Sequence, residues 1–352
     1  MRSLWRAVSL VSLILPTYGI SLPKLTGDYP VGTVSIELVD HDRLDPIATE
    51  PQPRSLMVSV FYPACSSDLD AYPLSHMFPP KHAAFIDQEI KLKNGTAGDI
   101  YSSARLGAPV ASGEFPVLMF SHGLALSREM YTSSLQDMAS RGWIVIAVSH
   151  PGDADFVEFP DGRTVTNNGS YPPSLDTRGR ADLLFLVRAF STPAIASQIP
   201  GLGAPLPMDR IGTLGHSFGG ATAFQMLLNS SAVVAAANLD GTQYSALSRV
   251  GTGKPALLMD TWTHNVTCDP GREATVQNAT HSSFTDYVVL KDIPEVGLPP
   301  AYKEAAGGIG GNRMLEVEVA YLDSYFGKWL KDGKGELLDD NSTSFPEVIL
   351  RQ

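Results

Sequence analysis

Short, almost unbroken apolar runs alternate along the chain with longer stretches whose apolar positions recur every three to four residues. "PVLMFSH", "WIVIAVSH", "RIGTLGH", "AVVAAANLD" and "PALLMD" are apolar nearly throughout, as strands covered on both faces must be. "SREMYTSSLQDMASR", "DTRGRADLLFLVRAF", "ATAFQMLLN" and "NRMLEVEVAYLDSYFGKWL" carry helical spacing. Near the start, "VSIELV" and "LMVSVFY" read as an antiparallel pair. This alternation predicts an α/β protein, with a mostly parallel central sheet and helices on both faces, in one domain over residues 20–330. Two Pro-, Gly- and Ser-rich stretches, Pro63–Glu114 and Pro151–Ser174, read as long loops of the kind that form lids or pocket walls. Residues 331–352 read as a polar, weakly ordered tail.

One strand-to-helix junction carries chemistry. In "RIGTLGHSFGGATAF" a buried strand gives way to helix formers at Gly215-x-Ser217-x-Gly219, with Gly220 following. A serine on a tight, strained turn between strand and helix is a nucleophile elbow, and it predicts the α/β-hydrolase fold. Helix N–H groups point at the place where an oxyanion would form. The hydroxyl needs a base oriented by a third group, and in this fold the order along the chain is Ser, acid, His. Two histidines follow Ser217. His281 opens a loop-like stretch late in the chain and is favoured over His264, which follows "LLMDTW" and could line the pocket. Asp240 and Asp260 each end a strand, and the pattern alone leaves the two acids open. The expected oxyanion donors are the backbone N–H groups of Phe218 and of Leu124, which follows the His122-Gly123 turn after "VLMFS". His122 itself reads as a brace for that turn. Leu124, Phe218, Trp262 and Phe284 are the expected pocket walls.

Composition narrows the setting. Net charge is −11 and no basic block occurs, which argues against a nucleic-acid partner. "MRSLWR", "AVSLVSLILP" and "TYG" follow the order of a cleavable secretory signal over residues 1–19, and no later run is apolar and long enough to span a membrane. Asn94, Asn168, Asn229, Asn265, Asn278 and Asn341 open glycosylation acceptor triplets, six of the nine asparagines, where chance would give roughly one or two. Both features point to a secreted glycoprotein. The two cysteines, Cys65 and Cys268, could form one bridge there or remain separate thiols.

The blocks "PVLMFSHGLALSREMYTSSLQDMASRGWIVIAVSH" and "DRIGTLGHSFGGATAFQML", with "GDYPVGTVSIELVDH" and "FYP" upstream, resemble the type II platelet-activating-factor acetylhydrolases, the secreted group VII phospholipases A2. The resemblance spans about Gly27 to Trp329. It implies a triad acid 23 residues after the nucleophile, which is Asp240, and a base heading a His-x-x-Phe-x-Asp motif, matched by His281, Phe284 and Asp286. It further implies an esterase without metal or other cofactor that removes short or oxidised acyl groups from phospholipids, with peripheral lipid contact. No calcium-loop motif occurs in the chain. Two features depart from the family: "LDGTQYS" lacks the bulky aromatic after the acid, and "FPPKHAAFIDQEIKLKNGT" is less apolar than a lipid-docking helix. A small-molecule ester is therefore the alternative substrate. An acyl-transfer or cyclising enzyme of fungal secondary metabolism would use the same triad, whereas a non-catalytic binding protein would normally have lost a member of it.

Overall fold

The computed structural model describes residues 19–167, 169, 175–242, 253–261 and 272–351. The residues read as a secretory signal precede this range, apart from Gly19. Strands β1 (Ile20–Ser21), β2 (Val31–Leu44) and β3 (Pro53–Pro63) open the chain. They are followed by β4 (Leu74–His76), helix α1 (Pro80–Glu89), β5 (Ile100–Leu106), β6 (Val117–Ser121), α2 (Thr132–Ser140) and β7 (Ile144–Ser149). A small hairpin of β8 (Phe156–Glu158) and β9 (Thr164–Thr166) precedes α3 (Leu175–Phe190) and the short α4 (Pro193–Ala196). Then come β10 (Ile211–His216), α5 (Phe218–Asn229), β11 (Val233–Leu239), β12 (Ala256–Thr261), β13 (Arg272–Val276), α6 (Gly311–Leu330) and β14 (Val348–Arg351).

One sheet runs in the order β1-β5-β2-β3-β7-β6-β10-β11-β12-β13-β14, with β4 beside β5. From β7 through β13 every neighbour is parallel, and β2, β3 and β14 pair antiparallel as expected of hairpin and edge strands. The parallel strands are apolar on both faces because both faces are covered. Leu135 and Met138 of α2 and Val317 and Tyr321 of α6 close one side, with Leu118, Phe120 and Leu214 from the sheet. Leu183 and Leu186 of α3 and Phe224 and Leu227 of α5 close the other, against Val117, Met119 and Ile146. This is the α/β-hydrolase fold.

Two sequence expectations are corrected. Pro63–Glu114 is not a loop, since it contributes α1 and three-residue β4, and its strand β5 buries Ile100, Ser102 and Ala104 while the residues between them face outward. Residues 331–351 are not a weakly ordered tail: Leu338, Phe345 and Val348 are buried in the core, and β14 pairs with β13 as the edge of the sheet. A single alternating strand of four to seven residues gives too weak a period to read against a polar background. Among the described residues, no helix is long and apolar enough to cross a membrane.

Candidate active site

Strands β6, β10, β11 and β12 end at one edge of the sheet, where open α/β sheets place their sites. Ser217 stands there as the residue joining β10 to α5, with φ 54° and ψ −121°, a backbone conformation side chains rarely adopt. Its N–H donates to the Leu239 carbonyl at 2.8 Å, and its own carbonyl accepts the first α5 bond, from Ala221. The sharp reversal brings α5 down onto the strands. A Cβ on Gly219 would lie 2.1 Å from the Ser121 carbonyl oxygen and 2.4 Å from that of His122, so only glycine allows this approach.

Asp240 follows β11 directly and is buried. Its Oδ1 accepts from the Thr261 N–H at 3.0 Å and the Thr261 hydroxyl at 3.2 Å, and its Oδ2 lies 2.6 Å from His281 Nδ1. A carboxylate on Nδ1 fixes the proton there and leaves Nε2 as the basic nitrogen. Asp260 lies on the neighbouring strand, where its Oδ1 accepts from the Thr275 hydroxyl at 2.9 Å. His281 opens a 3-10 turn through Phe284 that is capped reciprocally by Thr280 and Ser283, and its side chain is 53% exposed. Asp286 anchors this turn from behind by accepting the Ser133 N–H at the start of α2. Burial pushes the Asp286 carboxyl up to about 7. Phe284 is only 1% exposed and stacks on His216 at 6.3 Å, so it supports the site from beneath and is not a wall open to substrate. Trp262 and His264 lie outside the described residues.

The turn after β6 abuts the serine: a Cβ on Gly123 would stand 3.3 Å from the Ser217 Cβ. His122 is buried, its Nδ1 bonded to the Gly123 carbonyl at 2.7 Å and its Nε2 accepting the His150 N–H at 3.0 Å. Burial, reinforced by His150 nearby, holds its pKa down at about 3, so the ring is neutral. In a trans peptide the C=O and the following N–H point in opposite directions. With the Gly123 carbonyl drawn to His122, the Leu124 N–H is turned away from it. Leu124 and Phe218 are both partly exposed, and Phe218 is the first residue of α5, at the positive end of that helix.

A second Ser-His-Asp chain went unread in the sequence. Ser121 Oγ lies 2.9 Å from His150 Nε2, and His150 Nδ1 lies 2.8 Å from Asp182 Oδ2. All three are buried, at 1%, 3% and 0% exposure. Asp182 also holds Arg54 at 2.9 Å and Arg43 at 2.6 Å. Burial works against its charge, yet the Arg54 guanidinium and His150 keep its carboxyl far below the usual carboxylate range. Ser121 itself is a regular strand residue, paired with Gly215 on one side and Val148 on the other. Its only sequence signal was a polar residue ending an apolar strand, which many structural residues share. Among the described residues, then, one complete Ser-His-Asp chain is sealed from solvent, while the His281–Asp240 pair near the elbow serine reaches it.

Comparisons with known proteins bear on the choice of chemistry. The family model of platelet-activating factor acetylhydrolase, isoform II, matches residues 17–157, which include the 122–124 turn and stop short of Ser217. A probable 1-alkyl-2-acetylglycerophosphocholine esterase of Arthroderma benhamiae is 28% identical over 93% of each chain. The platelet-activating factor acetylhydrolase of Cavia porcellus is 23% identical over 64% of this chain and 56% of its own. Among solved structures, a ferulic acid esterase from Streptomyces cinnamoneus superposes with a TM-score of 0.79 at 27% identity, covering 95% of this chain and all of that one. A serine at the elbow, a carboxylate-oriented histidine nearby and these likenesses converge: the chain is an α/β-hydrolase-fold serine esterase that resembles the type II platelet-activating-factor acetylhydrolases.

Proposed function

We propose that Ser217 is the nucleophile, His281 its base and Asp240 the acid that orients the base, in an enzyme that hydrolyses short-chain acyl esters. Ser217 Oγ attacks the ester carbonyl as its proton passes to His281 Nε2. The developing oxyanion is received by the N–H groups of Leu124 and Phe218. His281 then returns the proton to the leaving alcohol, and water repeats the sequence in reverse to free the acid and restore Ser217. The observation that carries the assignment is the 2.6 Å contact of Asp240 with a half-exposed His281, at the edge where the strained Ser217 begins α5. The Ser121 chain lacks both a helix N-terminus beside its serine and access for an ester.

The substrate class proposed is the sn-2 acetyl or short oxidised acyl group of a phospholipid, or a small ester of similar acyl length. The name of the Arthroderma benhamiae relative supports this reading. Secretion is supported by the N-terminal pattern and by the acceptor asparagines: Asn94, Asn229, Asn278 and Asn341 are exposed, while Asn168 and Asn265 lie outside the described residues. Cys65 lies 3.1 Å from the Ser67 hydroxyl, and its candidate partner Cys268 lies outside the described residues. The experiment is a series of p-nitrophenyl esters from two to sixteen carbons, with EDTA present, on wild type and Ser217→Ala. Acetyl and butyryl esters should have the highest kcat/KM, EDTA should not matter, and Ser217→Ala should lose about 10⁴–10⁶-fold. A maximum at ten or more carbons would withdraw the short-acyl assignment.

A further inference from the structure

Behind Ser217 runs a hydrogen-bond chain, buried up to its last link, that joins the turn before Leu124, the residue before Ser217 and the His281 backbone. The Gly123 N–H donates to the Tyr131 hydroxyl at 3.0 Å, that hydroxyl lies 2.8 Å from His216 Nδ1, and His216 Nε2 lies 3.0 Å from the His281 carbonyl oxygen. Tyr131 and His216 are both buried, at 0% and 1% exposure. The proton positions follow from the partners. A carbonyl can only accept, so the His216 ring proton is on Nε2 and is given to the His281 oxygen. In the neutral ring Nδ1 is then an acceptor, and the Tyr131 hydroxyl gives it its single proton while accepting from the Gly123 N–H.

Each contact lands on a different part of the machinery. Gly123 precedes the proposed donor Leu124, His216 precedes Ser217, and the accepting carbonyl belongs to His281 itself. The packing leaves no slack: a Cβ on Gly123 would meet His216 Nδ1 at 2.9 Å and the Tyr131 oxygen at 3.1 Å. The His216 ring also flanks the His281 ring, with centroids 4.4 Å apart. A proton on His216 would oppose the imidazolium that forms on His281 during turnover. Burial, with His281 beside it, keeps His216 neutral, its pKa held down at about 3.

We infer that Tyr131 and His216 are positioning residues that lock the oxyanion turn, the nucleophile elbow and the base turn to one another. This rests on the Ser217 assignment. Neither side chain is hydrogen-bonded to a reacting atom, so their removal should lower the chemical step and leave ground-state binding nearly unchanged.

Tyr131→Phe deletes one oxygen and is the first variant to make. It should lose about 10–100-fold in kcat with KM within about threefold, because a small misplacement of donor and base is costly. Binding of an aryl trifluoromethyl ketone, which forms a tetrahedral adduct, should weaken by the same factor. The acidic limb of the kcat/KM–pH profile, where the general base takes up a proton, should also move. His216→Gln can still donate to the His281 carbonyl and should retain more activity than His216→Leu. The double variant Tyr131→Phe/His216→Leu should be no worse than His216→Leu alone, as for members of one relay. If Tyr131→Phe is poorly folded by thermal melting, the Gln and Leu pair decides, and equal activity of the two overturns the inference. A fluorophosphonate probe, located by peptide mapping, separates the two levels. Labelling at Ser217 with an unchanged kcat in Tyr131→Phe would refute the relay and leave the triad standing. Labelling at another serine would remove the triad assignment and the relay with it.

Discussion

Ser121→Ala tests whether the buried Ser121 chain or the elbow serine Ser217 does the chemistry. The substitution removes one hydroxyl and leaves His150 Nε2, buried 2.9 Å away, without its donor. His150 cannot relieve this by moving its proton, because Nδ1 stays committed to Asp182, whose charge two arginines hold in place. Leaving a buried acceptor unpaired costs about 1–3 kcal/mol. In a chain of this size each kcal/mol moves Tm by roughly 2 °C, so the melting point should fall by about 2–6 °C. Activity should change by less than about threefold, since the sealed serine would meet no ester. The assay is a thermal melt by circular dichroism beside p-nitrophenyl acetate kinetics on the same preparation. An unchanged Tm with a loss of 10³-fold or more in kcat would reverse the assignment, making Ser121 the nucleophile and Ser217 a turn residue.

Asp240→Asn should lower kcat by about 10⁴-fold through loss of the oriented tautomer, and Asp260→Asn by less than tenfold; the opposite ranking in ester kinetics would give the role to Asp260. Gly219→Ala, whose Cβ would meet two carbonyl oxygens within 2.4 Å, should cost about 3 kcal/mol or fail to yield soluble protein, as read from denaturant unfolding. Glu318 on α6 is buried, and burial pushes its carboxyl up to about 8. The folded state therefore keeps a proton that the unfolded chain releases from about pH 4.5, and stability drains away as pH rises through 8. Glu318→Gln should remove this loss, so its Tm relative to wild type should climb between pH 5 and pH 8; a flat difference would show that Glu318 is ionised in the fold.

The elbow was legible because its requirement is local. A reversal that tight needs glycines at fixed offsets from the serine, and an apolar strand before it with helix formers behind it fixes the context. The 122–124 turn was legible for the same reason. Which carboxylate would pair with His281 was not, because Asp240 and Asp260 end adjacent strands in equivalent sequence settings. What separates them is that Thr261 turns its N–H and hydroxyl toward Asp240, while Asp260 accepts from Thr275 on the next strand. Such pairing depends on sheet register, and only the family resemblance pointed to Asp240. Ser121, His150 and Asp182 come from three separate elements and share no spacing rule. Phe284 was misread because an aromatic near the base serves equally well beneath the site, where it stacks on His216.

The edge strand β14 has a consequence for how the molecule reaches its native state. Its partner β13 lies in sequence ahead of the whole of α6, so this pairing joins distant parts of the chain. Until β14 arrives, β13 presents an open row of N–H and C=O groups beside the buried Ala274 and Val276, a template on which another chain can add. Loop-closure entropy makes such distant pairings late events in folding. The nascent protein is thus most prone to self-association after its catalytic half has formed and before the final strand closes the sheet, and a truncation upstream of Phe345 would make that transient hazard permanent.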